Sequence, residues 1–343
     1  MKRACLSLKT NGMINLPSGQ AGSDLHVSIK KNKIIHMKIL KLLLLFIVTV
    51  SFSQERYTGP IIDMHLHGYT DEQHATLFGI PHPITLRGES FMSVKNAEEQ
   101  KVQTLELMKK YNIVVGVVTD GQTWKTESDD RILVARNNIP VDDLRVLIEK
   151  KDVKVIAEVA PFYGNMKADD ESLDPLFKLA YDTETPIGVH ILPGGPNNGI
   201  HLMPQMLGGM RAKNASPLQL ESILIKYPGI KLYIMHGGWP YVDDVKALMY
   251  MHSNLYVDIA VLNWVLPKEE CYNFIKSLMD AGFSDRIMYG TDQMGWPIVI
   301  EKGIETIQSA DFLSLQHKED IFYNNAARFL EFPDEVIKRH KSK

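Results

Sequence analysis

Ile113-Val114-Val115-Gly116-Val117-Val118 is a run of six residues without a polar side chain, four of them valine. A strand of that composition is covered on both faces, as a parallel strand is when helices pack over its sheet. Working outward, comparable short runs recur at Ile61–Asp63, Arg131–Ala135, Val153–Val159, Pro186–Ile191, Lys231–Met235, Leu255–Ala260 and Arg286–Tyr289. Helical stretches fit between them. Val94, Ala97, Val102, Leu105 and Met108 recur at roughly helical spacing ahead of the run at 113. Asp174-Pro175 and Ser216-Pro217 each set a capping residue before a proline, the second opening a helix buried through Ile223 and Leu224. Gly282 follows a predicted helix from Pro267 to Ala281, where a left-handed cap is usual. Eight strand–helix units predict an α/β fold, a closed (β/α)8 TIM barrel in a single domain.

Composition supports a globular enzyme-sized chain. Of 343 residues, 45% are apolar and 23% charged, with 17 Pro, 23 Gly and two Cys, which excludes a disordered polymer, a collagen-like fibre and a disulfide scaffold. The net charge of −3 hides a seam. Met37-Lys38-Ile39-Leu40-Lys41 leads into Leu42–Val50, apolar except for Thr49, and Ser51-Phe52-Ser53 puts small residues at −3 and −1 before Gln54. That pattern reads as a signal peptide at 37–53, too short for a comfortable membrane span, behind an extension at 1–36 that a start codon placed too early would add. The expectation is an exported protein, periplasmic or secreted, with a barrel domain over 54–343. Removing 1–53 takes away eight Lys/Arg and one Asp, so the charge falls from −3 to −10, and only Cys271 remains. An acidic domain gives no reason to expect nucleic acid or an anionic membrane as a partner. The expected partner is a small-molecule substrate, and a homo-oligomer is compatible with everything in the sequence.

Barrel enzymes carry their chemistry at the C-terminal ends of the strands. Those ends hold His65 and His67 (first strand), Glu158 (fourth), His190 (fifth), His236 (sixth) and Asp292 (eighth). Residues i and i+2 of a strand share a face, so His65 and His67 can point into one cavity. Each residue alone has an ordinary reading: a core histidine, a buried partner for a basic side chain, or a helix cap for Asp292. Together at one barrel end, imidazoles and carboxylates are the donor set of Zn²⁺ or a similar divalent ion.

Ile61-Ile62-Asp63-Met64-His65-Leu66-His67 resembles the opening motif of the amidohydrolase superfamily. Ile234-Met235-His236-Gly237-Gly238-Trp239-Pro240 and Arg286-Ile287-Met288-Tyr289-Gly290-Thr291-Asp292 resemble the strand-six and strand-eight motifs of its amidohydrolase-related branch, amidohydrolase family 2, and Asn324-Asn325-Ala326-Ala327-Arg328-Phe329 its closing helix. The resemblance runs from about Ile61 to Leu330. It implies one metal held by His65, His67, His190 and Asp292, with His236 contacting the activated water or the substrate. No Lys stands at the end of strand four, so a carbamylated-lysine pair of metals is not supported; Glu158 stands there and can ligate, or bridge two ions.

The chemistry so implied is hydrolysis of an ester, lactone or amide, with Asp292 as general base and acid and His236 polarising the carbonyl. The same branch contains non-oxidative decarboxylases of aromatic or unsaturated carboxylic acids, and that alternative stays open. A third reading is a barrel that binds without catalysing. Trp124, Trp239, Trp264 and Trp296 all follow predicted strands and can rim an apolar substrate site, Trp239 and Trp296 being best placed, with Tyr163 after Glu158. A glycine-rich segment from Leu192 to Arg211 reads as a lid whose Arg211 can clamp a carboxylate, and the segment from Gly68 to Phe91, with His74, His82 and Arg87, reads as more of the rim. Asp258, near the end of strand seven, can support a ligand histidine or serve an ordinary structural bond.

Overall fold

The computed structural model describes residues 55–81, 85–125, 130–195 and 210–342. The predicted signal peptide, the extension before it, His82 and residues 196–209 of the predicted lid lie outside the described residues. Residues 55–343 form one compact unit. No helix among the described residues is long and apolar enough to cross a membrane.

The eight apolar runs become eight strands: β1 (Ile61–His67), β2 (Ile113–Thr119), β3 (Ile132–Ala135), β4 (Ile156–Val159), β5 (Ile187–His190), β6 (Leu232–Met235), β7 (Tyr256–Asp258) and β8 (Ile287–Met288). They pair in parallel in chain order, β1 to β3 in one set and β4 to β8 in another. An isolated parallel bridge between Ala135 and Val155 joins the sets, and Met64 N donates to Tyr289 O at 3.0 Å on the other side, closing the ring. The fold is the predicted TIM barrel. β1 runs further than the predicted Ile61–Asp63, because Leu66 and His67 pair with Val118 and Thr119; the histidine pair is therefore inside the strand.

Side chains sort into two layers. Leu66, Val118, Ile156, Val189, Ile234 and Val257 pack with helix residues such as Met108, Leu179, Leu248 and Ile275. Ile62, Met64, Val115, Val117, Ala157, Tyr233, Met235 and Met288 form a second cluster with Tyr323, Ala326 and Phe329 of the C-terminal helical segment. Each Val, Leu, Ile, Met or Phe among them contributes about 1.5–3 kcal/mol when removed from water. Within the second cluster Gly188 packs on Tyr233 so closely that an added Cβ would overlap the phenol ring. Gly188→Ala is expected to destabilise the fold by about 1–3 kcal/mol, read in a denaturant titration. An unchanged midpoint would mean that Tyr233 simply moves aside.

Helix ends follow local rules unevenly. Gly282, at φ 90°, ends the helix Lys268–Asp280, and its N–H bonds Met279 O, as predicted for a left-handed cap. Asp174 and Ser216 do not cap through their side chains: Asp174 lies within its helix and binds Lys226 and Tyr227, while Ser216 precedes a 3-10 turn. The helix Ala97–Lys110 buries Gln100, Thr104 and Met108, and Val102 is exposed. The apolar spacing therefore misplaces its inner face.

Candidate active site

Two strand irregularities aim the chemistry. Ile62 and Met64 belong to the second cluster, so strict alternation would send His65 to the outer layer. Instead Asp63 and Leu66, three residues apart, pair with Gly116 and Val118, two apart. This bulge returns Leu66 to the outer layer and turns His65 and His67 together toward the barrel mouth. β4 does the same: Ile156 and Val159 face Ile187 and Val189, Ala157 lies in the second cluster and Val159 in the outer one, so Glu158 is carried round to the mouth. His236 and Asp292 follow β6 and β8 in the left-handed region, with φ of 60° and 55°, where side chains are strained. Bonds hold both in place. His236 N donates to Asp258 Oδ1 at 2.8 Å, and Asp292 N donates to His65 O at 2.7 Å.

Four donor atoms then converge. His67 Nε2 lies 3.0 Å from Asp292 Oδ1 and 3.5 Å from Glu158 Oε2; His65 Nε2 lies 3.7 Å from the same glutamate oxygen and 3.8 Å from Asp292 Oδ1. His65 Nε2 is buried without a hydrogen-bond partner, and Asp292 Oδ1 has none of good geometry. Ligands about 2.0–2.2 Å from a tetrahedral ion stand roughly 3.3–3.6 Å from one another, so the spacing suits a metal. The His65 tautomer agrees. Its Nδ1 donates to Asp258 Oδ2 at 3.2 Å, a pairing that orients the ring with Nε2 toward the group.

The other oxygen of Glu158 serves a second group. His190 Nδ1 is in direct hydrogen-bond contact with Glu158 Oε1, and His236 Nε2 lies 3.3 Å from that oxygen and 3.0 Å from His190 Nδ1. His190 Nε2 bonds Leu192 O at 3.1 Å, and His236 Nδ1 bonds Ala260 O at 3.2 Å. These three side chains also lie close enough together to hold an ion. Where the family pattern sets His190 beside the histidine pair, this chain gathers it with Glu158 and His236. Burial would raise the Glu158 carboxyl, yet the adjoining imidazoles of His190 and His236 hold it well below the usual carboxylate range. Asp292 is likewise raised by burial but brought below its ordinary value by His65 and His67. Carboxylates kept ionised inside a protein mark a place built for positive charge.

The family model described as Amidohydrolase matches residues 97–332, more than half of the chain. The chain belongs to the amidohydrolase family. That family is metal-dependent, and this member carries His, Asp and Glu groups able to hold a metal. Protein fluG of Emericella nidulans is 20% identical over 175 residues, covering 47% of this chain and 19% of that protein; the chain spans about a fifth of this curated relative's length. Among solved structures, a probable 2-pyrone-4,6-dicarboxylic acid hydrolase from Acinetobacter baumannii, with citric acid bound, is similar at TM-score 0.54 and 12% identity, covering 79% of this chain and 99% of that one. A dihydroxybenzoic acid decarboxylase from Polaromonas sp. JS666, with manganese and 2-nitroresorcinol bound, is similar at TM-score 0.56 and 12% identity, covering 80% and 97%. At such identity the likeness concerns the fold, and it spans both hydrolases and decarboxylases.

Around the amidohydrolase centre stand supports that apolar patterning does not reveal. Gln293 brackets His67, accepting from its N–H at 2.9 Å and donating to its carbonyl at 2.8 Å. Gln100 Nε2 donates to the same carbonyl at 2.9 Å, and its Oε1 accepts from Tyr69 N at 3.0 Å. Buried backbone groups need partners, and this is why a glutamine occupies the inner face of its helix. The only sequence sign was Gln100, Thr104 and Met108 at i, i+4 and i+8. Asp63 Oδ1 accepts from His65 N and Thr291 N, tying β1 to the end of β8 beneath the centre. Asp258 serves His65 through one oxygen and His236 N and Ala260 N through the other. Asp258→Asn is expected to weaken metal affinity about 10- to 100-fold with the fold retained, measured by competition with a chelating dye. Unaltered affinity would leave Asp258 a purely structural role.

A cavity of about 770 Å³ opens over the centre, lined by His190, His236 and Asp292 and by Phe162, Tyr163, Trp239, Trp264 and Trp296. Tyr163 is 4.8 Å from the His190 ring. Trp124 does not line it; it packs in the outer core layer. Arg211 is exposed and donates to Met210 O at 3.2 Å, while its neighbours Met210 and Ala212 form the wall. Arg87, from the predicted rim, instead fastens it: its guanidinium bonds Leu266 O, Thr306 Oγ1 and Asn263 O.

Proposed function

We propose that this amidohydrolase hydrolyses an ester, lactone or amide of a small organic molecule, using one divalent ion, zinc by the nature of its donors, held by His65, His67, Glu158 and Asp292. The observation that carries this reading is the convergence of those four side chains, with two buried donor atoms left unsatisfied, at separations of 3.0–3.8 Å that bracket those of an ion's coordination shell. When bound, such an ion supplies Lewis acidity, polarising a carbonyl oxygen and making water acidic enough to react near neutral pH. Asp292 takes the proton of the attacking water and returns it to the leaving group, since its carboxylate adjoins His67 and also lines the cavity. His236 orients the reacting carbonyl: the bond to Ala260 O fixes its ring, and Nε2 faces the centre beside His190. The apolar walls exclude bulk water from the step.

Turnover of a lactone and ester panel in ¹⁸O-water tests this. Hydrolysis places one ¹⁸O in the acid product and releases no carbon dioxide. Carbon dioxide release from an aromatic acid, without hydrolysis of any ester, lactone or amide, would assign decarboxylation instead.

A further inference from the structure

The cavity over the centre is unusual in what it lacks. Among the described residues that line it none is Lys or Arg. The nearby arginines do not line it. Arg87 spends its guanidinium on two carbonyls and Thr306. Arg136, just after β3, lines a separate cleft with Lys125 and lies 3.5 Å from Asp120. Arg211 is exposed and bonds Met210 O. Two of the tryptophan donors are also occupied, Trp239 Nε1 by Glu270 at 2.9 Å and Trp264 Nε1 by Thr291 O at 2.8 Å. Away from His190, His236, Asp292 and Thr85, the described side chains of the wall are apolar or aromatic, in a volume suited to an organic ligand.

We infer that the substrate has a single polar reacting end and an uncharged, largely aromatic or aliphatic body, and that a second anionic group on that body is rejected. The inference rests on the reading that the histidine–carboxylate cluster is the reacting centre. A carboxylate carried into the apolar part of the cavity would lose its hydration and meet no Lys or Arg among the described residues. This separates the chain from a similar protein whose name specifies a dicarboxylic acid.

The test is calorimetric binding to the full-length protein, zinc-loaded and zinc-free, of naphthalene-2-carboxylate and naphthalene-2,6-dicarboxylate. The dicarboxylate is expected to bind about 100-fold more weakly to the zinc-loaded protein. Leu86 lines the cavity yet is 53% exposed, so Leu86→Arg should fold and should shrink the difference to about 10-fold or less. Equal or tighter binding of the dicarboxylate to the unaltered protein would overturn the inference, as would no detectable binding of either ligand or a difference that Leu86→Arg leaves unchanged. The readout does not depend on turnover. Loss of the preference alongside ¹⁸O incorporation overturns only the substrate class, whereas a preserved preference without hydrolysis overturns only the reaction.

Discussion

Asp292→Asn is expected to lower kcat on a turned-over ester or lactone by about 10³-fold while the protein stays folded. The substitution keeps shape and volume. The backbone bond from Asp292 N to His65 O, which stabilises the strained φ of 55°, does not involve the side chain. What is lost is a carboxylate able to take a proton beside His67, at the point where the cavity meets the donor cluster. Steady-state kinetics with a circular-dichroism melt of the same preparation checks both halves. Activity near that of the unaltered protein would remove Asp292 from the chemistry.

The second large effect belongs to Glu158. One of its oxygens faces His65 and His67 and the other His190 and His236, so four imidazoles depend on a single carboxylate. Glu158→Gln preserves the volume and removes the charge. Zinc affinity is expected to fall by about 100-fold or more, and activity with it, because a direct donor is lost as well as the charge that balances the ion. Equilibrium dialysis against zinc at fixed free concentration measures this. Retention of full affinity would show that the histidine pair and Asp292 suffice without Glu158.

Much of this arrangement was legible before any coordinates. Eight apolar runs in chain order became eight parallel strands, because a strand buried on both faces cannot disguise its composition. The site residues at strand ends were legible for the same reason: a polar residue closing an apolar run has to face something. The orientation of Glu158 was not legible, since it depends on a bulge that periodicity of two cannot express. Gln100 escaped notice because apolar patterning discards a polar residue, although the buried carbonyls of His67 and Met294 draw it inward. Trp124 and Arg211 fell on the expected side of the barrel, but position along a chain does not decide whether a loop side chain turns to the cavity, the core or solvent.

Zinc stoichiometry of the reconstituted protein, measured by plasma emission after removal of loosely bound metal, bears most directly on the central claim. The account predicts about one equivalent per chain in the unaltered protein, with sharp loss in both Glu158→Gln and Asp292→Asn. Less than about 0.2 equivalents in the unaltered protein, or a full equivalent retained in both variants, would contradict a metal centre built on these four side chains.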